Sequence, residues 1–154
     1  MRDVLVCGYG PVGALLAARL AAHGLSVLVV DRAPVPYALP RAVAADGEVL
    51  ELLARTVPGV TTGFVRDPPV RFLAADRTEL GRLRFPVPGL AFYTQPVLEQ
   101  RLRAHVAGLP LVEVRTGTLT ALAQDAAGVT AVVDGAPVRA RWLVGCDGAS
   151  STVR

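Results

Sequence analysis

Three glycines near the amino terminus have the spacing of a phosphate-binding turn. Residues 8–13 read GYGPVG, directly after a short apolar run and directly before a run of helix-forming residues. In such a turn, Gly8 permits a tight bend, Gly10 lets backbone N–H groups approach a pyrophosphate, and Gly13 allows the helix to pack closely on the strand. Pro11 suits the first helical turn, where its missing N–H costs little. The helix would then direct unpaired N–H groups and the positive end of its dipole at the phosphates.

Asp31 is the second residue that could do chemistry with the same ligand. It lies 23 residues after Gly8, at the end of another short apolar run. A carboxylate at this position can accept hydrogen bonds from both ribose hydroxyls of an adenosine, and it would repel a 2′-phosphate. The alternative is an ordinary surface aspartate at the end of a strand. The turn and the carboxylate together predict a dinucleotide site that favours FAD or NAD over NADP.

The hydrophobic pattern predicts the elements that position these residues. Apolar runs at residues 3–7 and 26–30 are typical of buried parallel strands, and residues 11–23 between them favour a helix that ends at Gly24. This arrangement is a βαβ unit. Farther along the chain we expect a loop at 32–41, helices at 46–55 and between Thr94 and Gly108, brief strands at 70–74 and 82–85, a parallel strand at 111–115, an antiparallel meander at 118–124, 129–134 and 137–141, and a last strand at 142–146.

Length and composition exclude several classes of protein. With 154 residues, 52% hydrophobic residues and a mean hydropathy of +0.44, the chain is expected to form one globular domain and not a disordered segment. Charged and polar residues interrupt the most apolar stretch, residues 12–30, so no membrane span is expected. Asp3 follows Arg2 at once, which disfavours a signal peptide.

Charge and cysteine content restrict the kinds of binding partner and the cellular compartment that we expect. All 16 basic residues are arginines scattered among acids, so the net charge of +3 predicts an arginine-rich surface and no nucleic-acid face. Cys7 and Cys146 each end an apolar run and are expected to be buried thiols of a reducing compartment, which favours a cytoplasmic protein. His23 and His105 lie in no motif and are expected on helix surfaces. The sequence has no metal-ligand pattern, so no metal is expected.

Further motifs, in order along the chain, carry a family resemblance. Pro40-Arg41-Ala42 follows Asp31, Gln95 begins the segment QPVLEQRL, and residues 142–154 read WLVGCDGASSTVR. Together with the glycine turn, these motifs resemble those of the para-hydroxybenzoate hydroxylase-like family of FAD-dependent aromatic monooxygenases. The likeness is nearest to the phenylpropionate and polyketide hydroxylase branch, and it covers the whole chain.

The resemblance implies a fold and a domain organisation. The fold would be an α/β, Rossmann-like FAD-binding fold of the glutathione-reductase type, with a parallel sheet and an antiparallel β-meander crossover. Residues 1–154 would be the amino-terminal portion of the FAD-binding domain, incomplete at the C-terminus. The third FAD motif of the family, a Gly-Asp-Ala sequence, and its substrate domain are expected to be absent, and the 154-residue chain alone is expected to be inactive.

The resemblance also implies roles for particular side chains. Arg41 would lie near the flavin and its phosphate arm, Gln95 would hydrogen-bond the cofactor through its amide, and Asp147 would contact ribose or ribityl oxygens. The ordinary alternatives are a solvated loop arginine, a polar residue at a helix start and an Asp-Gly turn. Ser150 departs from the family pattern, which has arginine there. The complete set of expected cofactor-binding residues is Gly8, Gly10, Pro11, Val12, Gly13, Asp31, Arg32, Arg41, Gln95, Asp147 and Gly148.

The function that the resemblance implies is that of the FAD-binding portion of a flavoprotein monooxygenase. Such an enzyme uses NAD(P)H and O2 to hydroxylate an aromatic or polyketide-type small molecule, and its cofactor carries the difficult chemistry. The sequence identifies no catalytic residue. Two alternatives stay open: a truncated, non-catalytic dinucleotide-binding module, and a related flavin dehydrogenase or reductase. A homo-oligomer and a complementing C-terminal polypeptide also stay open as partners.

Overall fold

A six-stranded sheet with helices packed on it forms the centre of the protein. The computed structural model describes residues 1–39, 41–67, 70–83 and 89–154. Its helices are α1 (Pro11–Ala22), α2 (Gly47–Thr56) and α3 (Gln95–Ala107). Its strands are β1 (Arg2–Cys7), β2 (Val27–Asp31), β3 (Ala44–Ala45), β4 (Val65–Arg66), β5 (Val70–Leu73), β6 (Glu79–Leu83), β7 (Ala91–Phe92), β8 (Val112–Thr116), β9 (Leu119–Asp125), β10 (Gly128–Val133) and β11 (Ala136–Gly145).

The predicted βαβ unit is confirmed at the middle of the sheet. The strand order is β8-β2-β1-β11-β10-β9. Strand β1 pairs in parallel with β2 and with β11, and β2 pairs in parallel with β8, which confirms the parallel strand predicted at 111–115. Helix α1 packs on the two strands that it connects and ends just before Gly24, whose φ of +79° suits a residue without a Cβ.

Both faces of the central strands are buried, which explains their continuous apolar sequence. Alternate residues of a strand point to opposite faces of the sheet. Val4 and Val29 accordingly pack with Leu102 of α3 on one face. Leu5 and Leu28 pack on the other face with residues of β9 and β10. The ends of β1 and β2 are therefore fixed firmly, and so are the loops that follow them.

The remainder of the sheet is the predicted antiparallel meander, with one correction. Strands β9 and β10 pair across the turn at 125–128, and β10 pairs with β11 across Asp134-Gly135, where both φ values are positive. The expectation of two separate strands at 137–141 and 142–146 is wrong. Strand β11 is continuous, because no turn residue separates Arg141 from Trp142. Its first half pairs with β10 and its second half with β1, so one strand joins the meander to the parallel sheet.

The predicted second and third helices are confirmed. Helix α2 begins after Asp46, whose carboxylate accepts the Val49 N–H at 2.9 Å and caps the helix. Helix α3 begins after Thr94, with Pro96 in its first turn. The loop predicted at 32–41 contains neither helix nor strand among its described residues.

The small strands complete the described fold. Strand β5 confirms the brief strand predicted at 70–74, and β6 begins at Glu79, earlier than predicted, because it pairs with β5 in a hairpin. Residues 84–88, which include part of the second predicted strand, and Pro40 lie outside the described residues. Within the described ranges, no helix has the length and apolar character needed to cross a membrane.

Candidate dinucleotide-binding site

A cleft of about 420 Å³ opens at the carboxyl ends of β1, β2 and β11. Strand ends of this kind are where open α/β sheets bind ligands, and the volume is typical of a small-molecule site. Val12 and Gly13 are absent from the described lining of the cleft. The structure does bring together there the other residues of the expected set, which are Gly8, Gly10, Pro11, Asp31, Arg32, Arg41, Gln95, Asp147 and Gly148.

Gly8 makes the tight bend between β1 and α1. Its N–H donates to the carbonyl oxygen of Val30 at 2.7 Å. Its φ of +102° is a conformation that L side chains rarely adopt. A Cβ at this position would also lie 2.3 Å from the carbonyl oxygen of Cys146. Only glycine therefore lets the turn contact both neighbouring strands.

Gly10 and Gly13 differ in their surroundings. A Cβ on Gly13 would lie 2.0 Å from the carbonyl oxygen of Gly8, so this glycine allows α1 to approach β1. A Cβ on Gly10 would meet no described atom within 4 Å, and the φ of −69° at Gly10 suits any residue. The open space in front of Gly10 is therefore available to a ligand. Val12 is 70% exposed, and its side chain lies outside the cleft.

The first turn of α1 offers backbone donors to the cleft. Gly10 caps this helix without a side-chain hydrogen bond, and Pro11 follows in the first turn, which carries no acidic residue. The first N–H groups of a helix have no partner within the helix, and the positive end of the helix dipole lies beside them. Because Gly10 and Pro11 both line the cleft, this helix end favours an anion there.

Asp31 ties the end of β2 to the glycine turn. Its Oδ2 accepts the Tyr9 N–H at 2.5 Å, and its Oδ1 accepts the Ala33 N–H at 2.7 Å. Each carboxylate oxygen has a further lone pair, so Asp31 can still accept hydrogen bonds from ribose hydroxyls while it holds the turn. Sequence reasoning predicted the ligand contact and missed this second role, which depends on the backbone path after β1.

Gln95 connects α3 to the loop that carries Arg41. Its side-chain oxygen accepts the N–H groups of Arg41 and Ala42, both at 2.8 Å, and the residue is only 8% exposed. Gln95 also lines the cleft, where its side-chain amide nitrogen can serve as a donor. The Arg41 guanidinium lies 4.7 Å from the centroid of the Tyr37 ring, on the wall of the cleft.

Asp147 organises the Asp-Gly segment that follows β11. Its Oδ1 accepts the Ser151 hydroxyl at 2.7 Å, and its Oδ2 accepts the N–H groups of Thr152 and Val153 at 2.7 and 3.3 Å. Burial raises the pKa of this carboxyl, but these hydrogen bonds outweigh burial and hold the pKa below its usual value. Asp147 therefore forms a turn and also lines the cleft, next to Gly148 with its φ of +81°.

A buried ion pair on the wall of the cleft was missed by sequence reasoning. Glu99 and Arg103 lie one and two turns after Gln95 on α3, and all three residues line the cleft. Glu99 Oε1 lies 2.7 Å from Arg103 Nη2, and the two side chains are 4% and 13% exposed. The spacing of four residues, which places all three on one helix face, was the available signal.

The two thiols lie at the ends of neighbouring strands and line the same cleft. Cys7 is buried as predicted, and burial, together with the negative charges of Asp147 and Asp31, raises the pKa of its thiol to about 11. The expectation that Cys146 is buried is wrong. Cys146 is only partly buried, because it follows the end of β11 at the cleft. The two residues pack against opposite faces of the sheet, so they do not face each other.

A second cleft, of about 410 Å³, lies elsewhere and has a different lining. The rings of Phe64 and Tyr93 stack there with centroids 5.1 Å apart. Its arginine, Arg101, donates to the carbonyl oxygens of Val60 and Thr62. The described lining of this second cleft includes the start of α3 at Thr94 but contains neither the glycine turn nor an acidic residue, so the first cleft is the candidate dinucleotide site.

Comparisons with known proteins agree with this geometry. A family model described as FAD binding domain matches residues 1–154. The 3-(3-hydroxy-phenyl)propionate/3-hydroxycinnamic acid hydroxylase of Mycobacterium sp. (strain JLS) is 36% identical over 162 residues, which cover 99% of this chain and 28% of that protein. A Rhodococcus jostii (strain RHA1) protein named "Probable NADH-specific resorcinol 4-hydroxylase" is 36% identical over 170 residues, which cover 99% of this chain and 32% of that protein.

A solved structure agrees as well. The p-nitrophenol 4-monooxygenase from Pseudomonas putida DLL-E4 matches with a TM-score of 0.90 and 27% sequence identity, covering 100% of this chain and 42% of that one. The predicted α/β FAD-binding fold is thereby confirmed. The chain spans less than half the length of each of these relatives.

Two glycine variants separate the ligand space from the packing contact. Gly10→Val should leave the fold intact and prevent retention of an adenine dinucleotide, because its side chain would fill the open space before α1. Gly13→Ala should lower the free energy of unfolding by roughly 1–3 kcal/mol or more, because its Cβ would overlap a carbonyl oxygen. Thermal unfolding and a calorimetric titration with ADP measure the two effects. Equal loss of stability in both variants would show that the turn is purely structural.

The low pKa of Asp147 makes part of the stability depend on pH. Because the pKa is lowered in the folded state, the stabilisation is complete above the unfolded-state pKa and is lost as pH falls through the folded-state value. Asp147→Asn should therefore cost about 1–2 kcal/mol at neutral pH, and the difference from the unaltered chain should shrink in acid. Glu48→Gln, at an exposed site on α2, is the control. A difference that does not change with pH, measured by urea unfolding, would contradict this role.

Proposed function

This chain belongs to the FAD binding domain family, and from that premise we propose that it is the FAD-binding portion of a flavoprotein monooxygenase. The proposed enzyme uses NAD(P)H and O2 to hydroxylate an aromatic or polyketide-type small molecule. The observation that carries the proposal is the cleft where the glycine turn, the Asp31 carboxylate and the amino end of α1 meet. The names of the Mycobacterium and Rhodococcus relatives, which call them hydroxylases of aromatic compounds, support the reaction class.

The residues of the cleft fit an adenine dinucleotide. The space before Gly10 is free of described atoms within 4 Å of where a Cβ would stand, and the amino-terminal end of α1 begins at this residue. A pyrophosphate can occupy that space, because it needs close approach to backbone donors. Asp31 can accept the ribose hydroxyls, and the guanidinium groups of Arg32 and Arg41 line the same cleft and suit phosphate oxygens.

The residues of the chain bind and orient the cofactor in this proposal. When bound, FAD supplies the transfer of electrons from NAD(P)H and the reaction with O2. The first turn of α1 and Arg41 balance the phosphate charge, and Gln95 holds the loop that carries Arg41 through two hydrogen bonds. The Gln95 amide nitrogen and the Asp147 carboxylate would hydrogen-bond the ribose or ribityl oxygens of the cofactor.

The proposal also covers the electron donor, the cellular compartment and the protein partners. We propose NADH or NADPH as the electron donor, and the name of the Rhodococcus jostii relative, which calls it NADH-specific, supports NADH. Two free cysteines suit a reducing compartment, so we place the protein in the cytoplasm. A second copy of the chain or a complementing polypeptide stays a prediction, and sedimentation analysis of the purified protein would test it.

Asp31 gives the most direct test of cofactor binding. Asp31→Asn keeps the shape of the side chain and an acceptor for the Tyr9 N–H, but it replaces the acceptor of the Ala33 N–H with an amide group and removes the charge that strengthens a hydrogen bond to ribose. Affinity for FAD and for ADP should fall by roughly 1.5–3 kcal/mol. Isothermal calorimetry with the purified chain measures both affinities.

The matched control is Asp46→Asn at the N-cap of α2. This aspartate also accepts a backbone N–H, but it lies outside the cleft. Asparagine caps a helix as well as aspartate does, so the control should keep both its stability and its FAD affinity. Unchanged affinity in the folded Asp31→Asn variant, or failure of the unaltered chain to retain added FAD, would argue against the assignment of the cleft.

The proposal also predicts how the chain behaves as an oxidase. It spans 28% of the length of the phenylpropionate hydroxylase relative, and coupled hydroxylation needs a site that excludes water. Residues 1–154 loaded with FAD should therefore convert NAD(P)H and O2 into hydrogen peroxide, one for one, without a hydroxylated product. Peroxide assay and mass spectrometry with a panel of phenols measure the two outcomes. A hydroxylated phenol formed by this chain alone would overturn the prediction.

A further inference from the structure

The Glu99–Arg103 ion pair is unusual among the charged pairs of the described residues. Its side chains are 4% and 13% exposed, whereas both side chains of every other pair are at least 30% exposed. A buried ion pair must offset the loss of hydration of both groups, and it often contributes little net stability. Stability alone therefore explains this pair poorly.

The Arg103 guanidinium is held in an incompletely satisfied position. It has five N–H donors. One bonds Glu99, another makes a long contact of 3.5 Å with the carbonyl oxygen of Pro34, and the Nε is buried with no hydrogen-bond partner among the described residues. A buried donor without an acceptor costs stability, so a native structure that keeps one needs another reason for it.

The guanidinium lies against the residue between the first two glycines of the turn. Its central carbon is 4.5 Å from the centroid of the Tyr9 ring, which is itself 6% exposed. The Tyr9 hydroxyl contacts the carbonyl oxygen of Arg103 at 3.4 Å, while the Tyr9 N–H donates to Asp31. Helix α3 thus holds the ring of the residue whose backbone forms the turn.

We propose that Arg103, fixed by Glu99, is a positioning residue for the dinucleotide. It holds the Tyr9 ring, and through Tyr9 it sets the backbone of the glycine turn and the contact with Asp31. The inference rests on the proposed function of the cleft. Because the charges of Glu99 and Arg103 cancel, the pair adds no net positive charge that would attract phosphate groups. Its contribution is geometric, unlike the direct charge of Arg41.

The test compares two arginines of the same helix. Arg103→Met should weaken binding of ADP about tenfold, as expected for a misplaced binding group. Arg101→Met is the control, because Arg101 also donates to backbone carbonyls but lines the second cleft. The control should bind ADP as the unaltered chain does. Arg103→Lys keeps the charge but not the planar group over Tyr9, and it should show part of the loss.

Two further measurements distinguish a positioning role of Arg103 from a role in stability alone and from direct attraction of the ligand by its charge. They are the unfolding midpoint and the salt dependence of ADP affinity. The double variant Glu99→Leu with Arg103→Met removes the unpaired buried charge, so its unfolding midpoint should rise above that of Arg103→Met, while ADP affinity stays low. The loss of affinity in the double variant should also be the same at low and high salt, because this variant removes both charges of the pair and leaves no unpaired charge in the cleft.

The measured affinities and stabilities can contradict the positioning role of Arg103 in several ways. In the double variant, recovery of ADP affinity together with stability, or a loss of affinity that vanishes at high salt, would overturn it. If the double variant does not fold, unchanged ADP affinity in Arg103→Lys would overturn it as well. Binding of ADP by the unaltered chain with no loss in Arg103→Met refutes this inference alone. No binding by the unaltered chain refutes the proposed function, and this inference with it.

Discussion

The close approach of α1 to the ends of β1 and β11 is the constraint on which the rest of the site depends. The positions where Gly8 and Gly13 would carry a Cβ are filled by the carbonyl oxygens of Cys146 and Gly8. Because backbone occupies this space, the first turn of α1 lies directly at the strand ends. Gly10 and Pro11 at the start of α1 then line the cleft, and Asp31 at the end of β2 can reach the Tyr9 N–H.

The charges of the cleft follow from the same arrangement. Its described lining has three acids, Asp31, Glu99 and Asp147, and three arginines. Both aspartates accept backbone N–H groups, and Glu99 is paired with Arg103. Arg32 and Arg41 have no acidic partner within the described part of the chain, so they and the α1 dipole provide the attraction for an anion. The cleft therefore suits a ligand that combines phosphates with hydroxyl groups.

Local sequence patterns were enough to predict most helices and strands. Features that depend on contacts between distant elements could not be predicted from them. The apolar runs of β1 and β2, the glycine spacing and Asp31 are local signals, and each was recovered in the structure. The continuity of β11 was missed, because the partner of a strand cannot be seen in its own residues. The roles of Gln95 and Arg103 in holding loops were missed for the same reason, since the partners of these side chains cannot be seen in the local sequence. Their contacts join α3 to loops more than 50 residues earlier in the chain.

Amide NMR spectra recorded while the chain is titrated with FAD would show where on the protein the cofactor binds. If the cleft at the strand ends holds the cofactor, the ¹H–¹⁵N signals of Gly10, Val12, Ala33 and Gly148 should shift together and saturate at one FAD per chain. The signals of Phe64 and Tyr93, in the second cleft, should stay unchanged. Shifts centred on those two aromatic residues, with the glycine turn unaffected, would contradict the account.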